Sequence, residues 1–92
     1  MYKRQVFNDE DEVIEMANDT TYGLASYLYT RNLSRAIKVS EALNFAIIGV
    51  NDINPTSAAV PFGGIKESGV GREGAKVGLT EYLDTKVVGI AL

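Results

Sequence analysis

Ninety-two residues allow one small domain or a piece of a larger one, and 46 % apolar with 23 % charged residues are the proportions of a globular protein, not of a disordered tail. A net charge of −3 without any Lys/Arg cluster argues against a nucleic-acid partner, and no apolar run approaches the ~20 residues of a membrane-spanning helix. The chain has no cysteine and no histidine, which removes disulfides, thiolate nucleophiles, imidazole bases and the common zinc ligands.

Chemistry in this chain therefore rests on carboxylates, hydroxyls, lysines and backbone groups. That is a poor kit for an autonomous enzyme. The lack of disulfides suits a reducing compartment, and the expected location is the cytoplasm.

In chain order, residues 1–5 read as a non-native leader. Codons GTG-TAT-AAG-AGA-CAG could encode them, with the valine codon read as a start, and they resemble the translated end of a transposon used in preparing sequencing libraries. Val6-Phe7 reads as the tail of a strand begun upstream. Asn8 or Asp9 caps a first helix, with capping-box spacing from Asp9 to Glu12. Val13, Met16 and Ala17, with Ile14 beside them, form its apolar stripe. The acids of residues 9–12 suit a helix N-terminus better than a metal loop. Gly23 is expected to close this unit.

Residues 24–30 are rich in strand formers. Asn32 or Ser34 caps a second helix whose buried face carries Leu33, Ala36, Ile37, Ser40 and Leu43. Residues 45–50 are a nearly continuous apolar run, as in a strand covered on both faces. Strand, helix and strand in this order predict a βαβ unit with a right-handed crossover. A third helix is expected from Arg72 or Glu73 through Ala75 and Leu79 to Tyr82/Leu83, and a last strand over residues 85–92. Such pieces leave an open, apolar, mostly parallel sheet edge. The chain therefore reads as an incomplete α/β domain, the C-terminal end of something larger.

Residues 51–74 separate these halves and are long, irregular and glycine-rich. Compact domains rarely carry such a stretch without a use for it. Pro61 fixes the approach and Gly63-Gly64 permits a sharp reversal, so that Phe62 is presented in a defined direction. It is either the wall of a small-molecule pocket or a plug for a core gap. Thr56 and Ser57 bring hydroxyls near it, either to orient a polar substrate group or as an ordinary turn. Gly69-Val70-Gly71-Arg72-Glu73-Gly74 matches G-x-G-x-x-G. No strand leads directly into it and no ribose-binding acid follows, so the glycines read as backbone packing and not as a nucleotide loop. Lys66, Glu67, Arg72 and Glu73 alternate in charge on the turn.

The run Pro61-Phe62-Gly63-Gly64-Ile65-Lys66-Glu67-Ser68-Gly69-Val70-Gly71-Arg72-Glu73-Gly74 resembles the C-terminal signature of the NAD(P)-dependent aldehyde dehydrogenases. The resemblance extends back through Tyr22-Gly23-Leu24-Ala25-Ser26 to Ala17-Asn18-Asp19-Thr20. It runs on through Gly78-Leu79, Glu81-Tyr82-Leu83 and Thr85-Lys86, and so covers residues 6–92. Val50-Asn51-Asp52, Pro55-Thr56-Ser57 and the Lys-Glu-Ser-Gly ending most resemble succinate-semialdehyde dehydrogenases. Glycolaldehyde/lactaldehyde-type enzymes have similar endings, and a stand-alone non-catalytic α/β module is the reading from another class.

The resemblance implies a parent oxidoreductase whose catalytic cysteine attacks the aldehyde. A glutamate then activates water to hydrolyse the thioester after hydride has passed to NAD or NADP. It places no catalytic and no cofactor-binding residue in this chain, which is expected to be inactive alone. It implies that Phe62 lines the aldehyde pocket and that Thr56 contacts a distal carboxylate, with Ser57 as the alternative contact and Glu73 and Lys66 in support. It further implies that residues 6–83 are the C-terminal part of a catalytic domain. Residues 84–92 would join the sheet of a neighbouring subunit in a homodimer or homotetramer.

Overall fold

A computed structural model describes residues 3–92; Met1 and Tyr2 of the expected leader lie outside the described residues. Helix α1, Glu10–Asn18, is capped by Asp9, whose carboxylate accepts from the Glu12 N–H at 2.9 Å. Glu12 reaches back to the Asn8 N–H at 2.7 Å, so the reciprocal cap closes on the residue before the N-cap. Helix α2, Leu33–Ala42, is capped by Asn32, which accepts from the Arg35 N–H at 3.0 Å. Both starts follow from short polar side chains placed where the first helical N–H groups have no backbone partner.

Strands β1 (Tyr22–Gly23) and β2 (Ala25–Leu28) follow α1, and β3 (Ile47–Val50) follows α2. β2 and β3 pair in parallel, with Ala25 opposite Ile47 and Leu28 opposite Val50. This is the expected βαβ unit, trimmed at both strand ends. Strand β4, Ile65–Lys66, pairs antiparallel with β1, Gly23 opposite Ile65. Gly23 is thus buried inside a strand pair and does not end the helix. A Cβ there would lie 2.6 Å from Ile65 Cγ1, so the close approach of β1 and β4 requires glycine.

The buried apolar core is small: Val39 at 8 % and Leu43 at 9 % exposure, both on the α2 side. An open cleft of about 550 Å³ separates α1 from β2 and α2, lined by Val13, Ile14, Ala17 and Leu28. Across its mouth Glu10 pairs with Arg35, and Lys38 lies 3.0 Å from Asp11 and 3.5 Å from Glu10.

Three expected elements differ. Val6 and Phe7 form no strand and are exposed. No α-helix opens at Arg72 or Glu73; a 3₁₀ helix spans Val77–Tyr82 instead. The cause is local: Glu73 is held in a β-bridge, and Gly74 and Ala75 have φ of +72° and +50°, so helical geometry cannot begin before Lys76. Residues 85–92 form no strand, and Val87 remains 90 % exposed. A strand needs a pairing edge, and none is presented to this segment among the described residues. The molecule measures 70 × 27 × 25 Å.

Candidate functional site: the Phe62 wall and its supports

The irregular stretch begins with turns closed by its own side chains. Asp52 accepts from the Asn54 N–H at 2.9 Å, the Thr56 hydroxyl donates to Asn54 Oδ1 at 2.8 Å, and Ser57 Oγ accepts from the Ala59 N–H at 3.3 Å. Thr56 and Ser57 are both exposed. Asn51 stands at the end of β3 with φ +55°. Its amide accepts from the Thr30 N–H and donates to the Thr30 carbonyl, both at 2.9 Å, in the manner of a further strand residue.

The chain then folds back on itself. Ala75 donates to the Ala58 carbonyl at 3.1 Å. Phe62 and Glu73 exchange both backbone hydrogen bonds at 2.8 Å as an antiparallel pair. Two main-chain bonds on one residue fix the Cα–Cβ direction of Phe62, which is half-buried. Gly63 has φ +153°, and a Cβ on it would lie 2.5 Å from the Gly71 carbonyl, so the reversal beside Phe62 excludes a side chain. Arg72 Nη1 donates to the Gly64 and Gly71 carbonyls, each at 2.8 Å. An open groove of about 460 Å³ results, lined by Leu24, Phe62, Gly71, Arg72, Glu73 and Glu81.

The structure thus brings Phe62 and Glu73 together. Thr56 and Ser57 do not line this groove. Lys66, at φ +53°, is drawn to the far end of α1: its ammonium donates to Thr20 O at 3.1 Å and Asn18 O at 3.4 Å, and lies 5.9 Å from the Phe45 ring centroid. Those carbonyls include an orphan acceptor at the negative end of the helix dipole, which gives the lysine a structural occupation.

The acids of residues 9–12 are engaged in capping and ion pairing. The hydrogen bond from Arg35 lowers the Glu10 pKa from its ordinary value, with further lowering by Lys38. The hydrogen bond to Asp11 raises that of Lys38. The run Gly69–Gly74 does not have the geometry of a dinucleotide-binding loop. The Glu73 N–H inside Gly69–Gly74 is already bonded to Phe62, and the six-residue 3₁₀ helix starts beyond the motif. No phosphate cradle of the strand–turn–helix kind is formed.

Arg72 reads in the sequence as a helix start and one of four alternating charges, not as the tie between two carbonyls that it is. Two further supports were not singled out from the sequence. Ser68 Oγ accepts the Gly23 N–H at 2.9 Å and ties the signature to β1. Asn18 donates to Ala42 O at 2.9 Å and accepts from the Asn44 N–H at 2.8 Å, joining the ends of both helices. Asparagine at a helix end is a visible signal, but its partners, 24 and 26 residues away, are not.

The pattern of the family described as Aldehyde dehydrogenase family matches residues 5–88. An aspartate-semialdehyde dehydrogenase (non-phosphorylating) of Halomonas elongata is 54 % identical over 80 residues, which are 87 % of this chain and 16 % of that protein. The NADP(+) succinate-semialdehyde dehydrogenase GabD of Escherichia coli is 51 % identical over 86 residues, 94 % of this chain and 18 % of that protein. The crystal structure of an aldehyde dehydrogenase from Brucella melitensis superposes with a TM-score of 0.84 at 56 % identity, over 87 % of this chain and 17 % of that one. The chain spans about one-sixth of the length of such relatives, so its α/β fold is a small part of theirs. With the signature, the βαβ unit and the family pattern agreeing over nearly all its residues, this chain belongs to the aldehyde dehydrogenase family.

Proposed function

We propose that this chain is the C-terminal part of an NAD(P)-dependent dehydrogenase that oxidises a short aldehyde with a distal anionic group, succinate semialdehyde foremost. What carries the reading is the chemistry shared by relatives named for their substrates. Those at 49–54 % identity are named for aspartate, succinate, glutarate and 3-sulfolactaldehyde substrates, each an aldehyde with an acid group at its far end. In this reading Phe62 is one wall of the aldehyde site, and Thr56 or Ser57 offers a hydroxyl to the distal acid. Glu73 and Lys66 hold the loop from its two sides. Residues 84–92 pair with a neighbouring subunit of a homodimer or homotetramer.

The overall reaction consumes aldehyde, water and NAD(P)⁺ and yields carboxylate, NAD(P)H and two protons. The nucleophile, base and nucleotide site come from sequence outside this chain, which has no cysteine. The 92 residues alone are therefore expected to make no NAD(P)H from any aldehyde; turnover by the purified chain would refute that. The substrate test is kcat/KM of the complete enzyme for succinate semialdehyde against glycolaldehyde. A preference of about tenfold or more for the acid is expected from an acid-specific site. Equal or reversed preference would transfer the assignment to the glycolaldehyde/lactaldehyde type.

A further inference from the structure

We infer that Arg72 is a positioning residue for the aldehyde site, a staple that sets the distance between the two arms of the Phe62 turn. The inference rests on the function proposed above. Its basis is the register of those arms. Phe62 pairs with Glu73, so continuing the antiparallel ladder by two residues on each arm would set Gly64 opposite Gly71. That next pair does not form: no backbone hydrogen bond joins the two glycines. Both carbonyls instead accept from one donor, Arg72 Nη1, at 2.8 Å. A single cationic group thereby joins two chain segments that would otherwise meet with acceptor facing acceptor.

The stem of Arg72 is part of the same device. A Cβ on Gly63 would lie 3.0 Å from Arg72 Cδ, so the methylenes pack directly on the glycine next to Phe62. The head is part-buried in both of its hydrogen bonds, and the charge makes each bond shorter and stronger than a neutral one. Gly63, with φ +153°, has no side chain to restrict this turn. The arms are tied by the Phe62–Glu73 bridge and the Ala75–Ala58 bond on one side and by the guanidinium on the other. With the guanidinium removed, Gly64 and Gly71 are free to separate, and Phe62 pivots about its bridge to Glu73.

The test uses the complete enzyme with Arg72→Ala and Arg72→Lys. A shift of a pocket wall acts on aldehyde binding. Arg72→Ala is therefore expected to raise the aldehyde KM about tenfold, by the same factor for succinate semialdehyde and glycolaldehyde, with the nucleotide KM and kcat nearly unchanged. Guanidinium ion added at millimolar concentration should return the KM of Arg72→Ala towards the parent value. Arg72→Lys keeps the charge but not the fork, and should show a smaller rise in the same direction. A KM rise confined to the carboxylated aldehyde would make Arg72 a direct anion contact and overturn the staple. So would an unchanged KM in a folded Arg72→Lys enzyme, or a loss of active enzyme that guanidinium does not reverse. Should the parent enzyme oxidise no aldehyde, the proposed function fails and not the staple, which the separation of residues 64 and 71 in a variant structure then decides.

Discussion

Separating this chain from the rest of its polypeptide is the most informative perturbation. A folded monomer of 10.0 kDa exposes about 5,200 Å² of surface. This chain exposes 7822 Å². The excess of about 2,600 Å² is several times the ~800 Å² that one partner buries in a standard interface. Much of it is apolar and concentrated where the core ends: Leu79, Leu83, Val87, Val88 and Ile90 on the C-terminal arm, and Leu33 and Ile37 on α2 are all exposed. Two residues, Val39 and Leu43, cannot offset the ordering entropy of 92. Purified alone, the chain is expected to bind 8-anilinonaphthalene-1-sulfonate, to associate on a sizing column, and to lose its far-UV circular dichroism gradually on heating. A monodisperse 10.0 kDa species melting in one cooperative step above about 45 °C would refute the reasoning.

Thr56→Ala in the complete enzyme should raise KM several-fold for succinate semialdehyde, on the order of one hydrogen bond, and leave that for glycolaldehyde unchanged; equal effects would remove Thr56 from recognition. Gly64→Ala places a Cβ 2.5 Å from Ser68 Cβ and 2.8 Å from the Ser68 carbonyl carbon, so it should cost about 1–3 kcal/mol in denaturant titration, and an unchanged midpoint would contradict the tight turn. If the complete enzyme is the proposed homodimer or homotetramer, deleting residues 84–92 should convert it to monomers on analytical ultracentrifugation; an unaltered assembly would show that this arm pairs with nothing. The α1–α2 ion pairs set a pH window. Glu10, depressed, contributes fully above its ordinary value of 4.5 and loses its contribution as pH falls through its folded-state value. Lys38, raised, contributes fully below 10.5 and loses it as pH rises through its folded-state value. The protection of α1 amides against exchange, relative to their intrinsic rate at each pH, should thus be flat across neutral pH and fall only towards either extreme, and a step near pH 7 would contradict the pairing.

Legibility followed the range of the forces involved. Caps at Asp9 and Asn32 were readable because the capping side chain and its N–H lie three residues apart. The βαβ unit was readable from apolar pattern, since β2 and β3 are joined through one amphipathic helix. The β1–β4 pair was not, because Gly23 and Ile65 are distant in sequence and each strand is too short for a period. The helix expected from Arg72 failed for a different reason. Its residues have helical propensity, but the Phe62 bridge and the positive φ of Gly74 and Ala75 override it. The strand expected over residues 85–92 has β-forming composition and no edge to pair with here. Phe62 could be named from the Pro and Gly residues around it. Its partner Glu73 came from the family resemblance, and the register between them only from coordinates.

The charges of the signature constrain where substrate selectivity can reside. Lys66 gives its ammonium to Asn18 and Thr20 carbonyls, and Arg72 gives one nitrogen to Gly64 and Gly71 carbonyls. Both cations of the signature are thus engaged with main-chain acceptors, Lys66 away from the groove and Arg72 within it, while Glu73 and Glu81 add negative charge to the groove. A carboxylated aldehyde entering beside Phe62 meets two acids, which on their own would disfavour it. In the proposed reading the favourable contact within this chain is the neutral Thr56 hydroxyl, which lies outside this groove and whose proton must first leave Asn54 Oδ1. Such an exchange nets about 1 kcal/mol, less than tenfold in affinity. A complete enzyme that prefers succinate semialdehyde by far more than tenfold must therefore draw its positive charge from residues outside these 92. In that enzyme, neutralising an arginine supplied from outside the chain should reduce the preference more than Thr56→Ala does. The reverse order would show that the hydroxyl works in a drier, better-aligned setting than the exposed turn seen here.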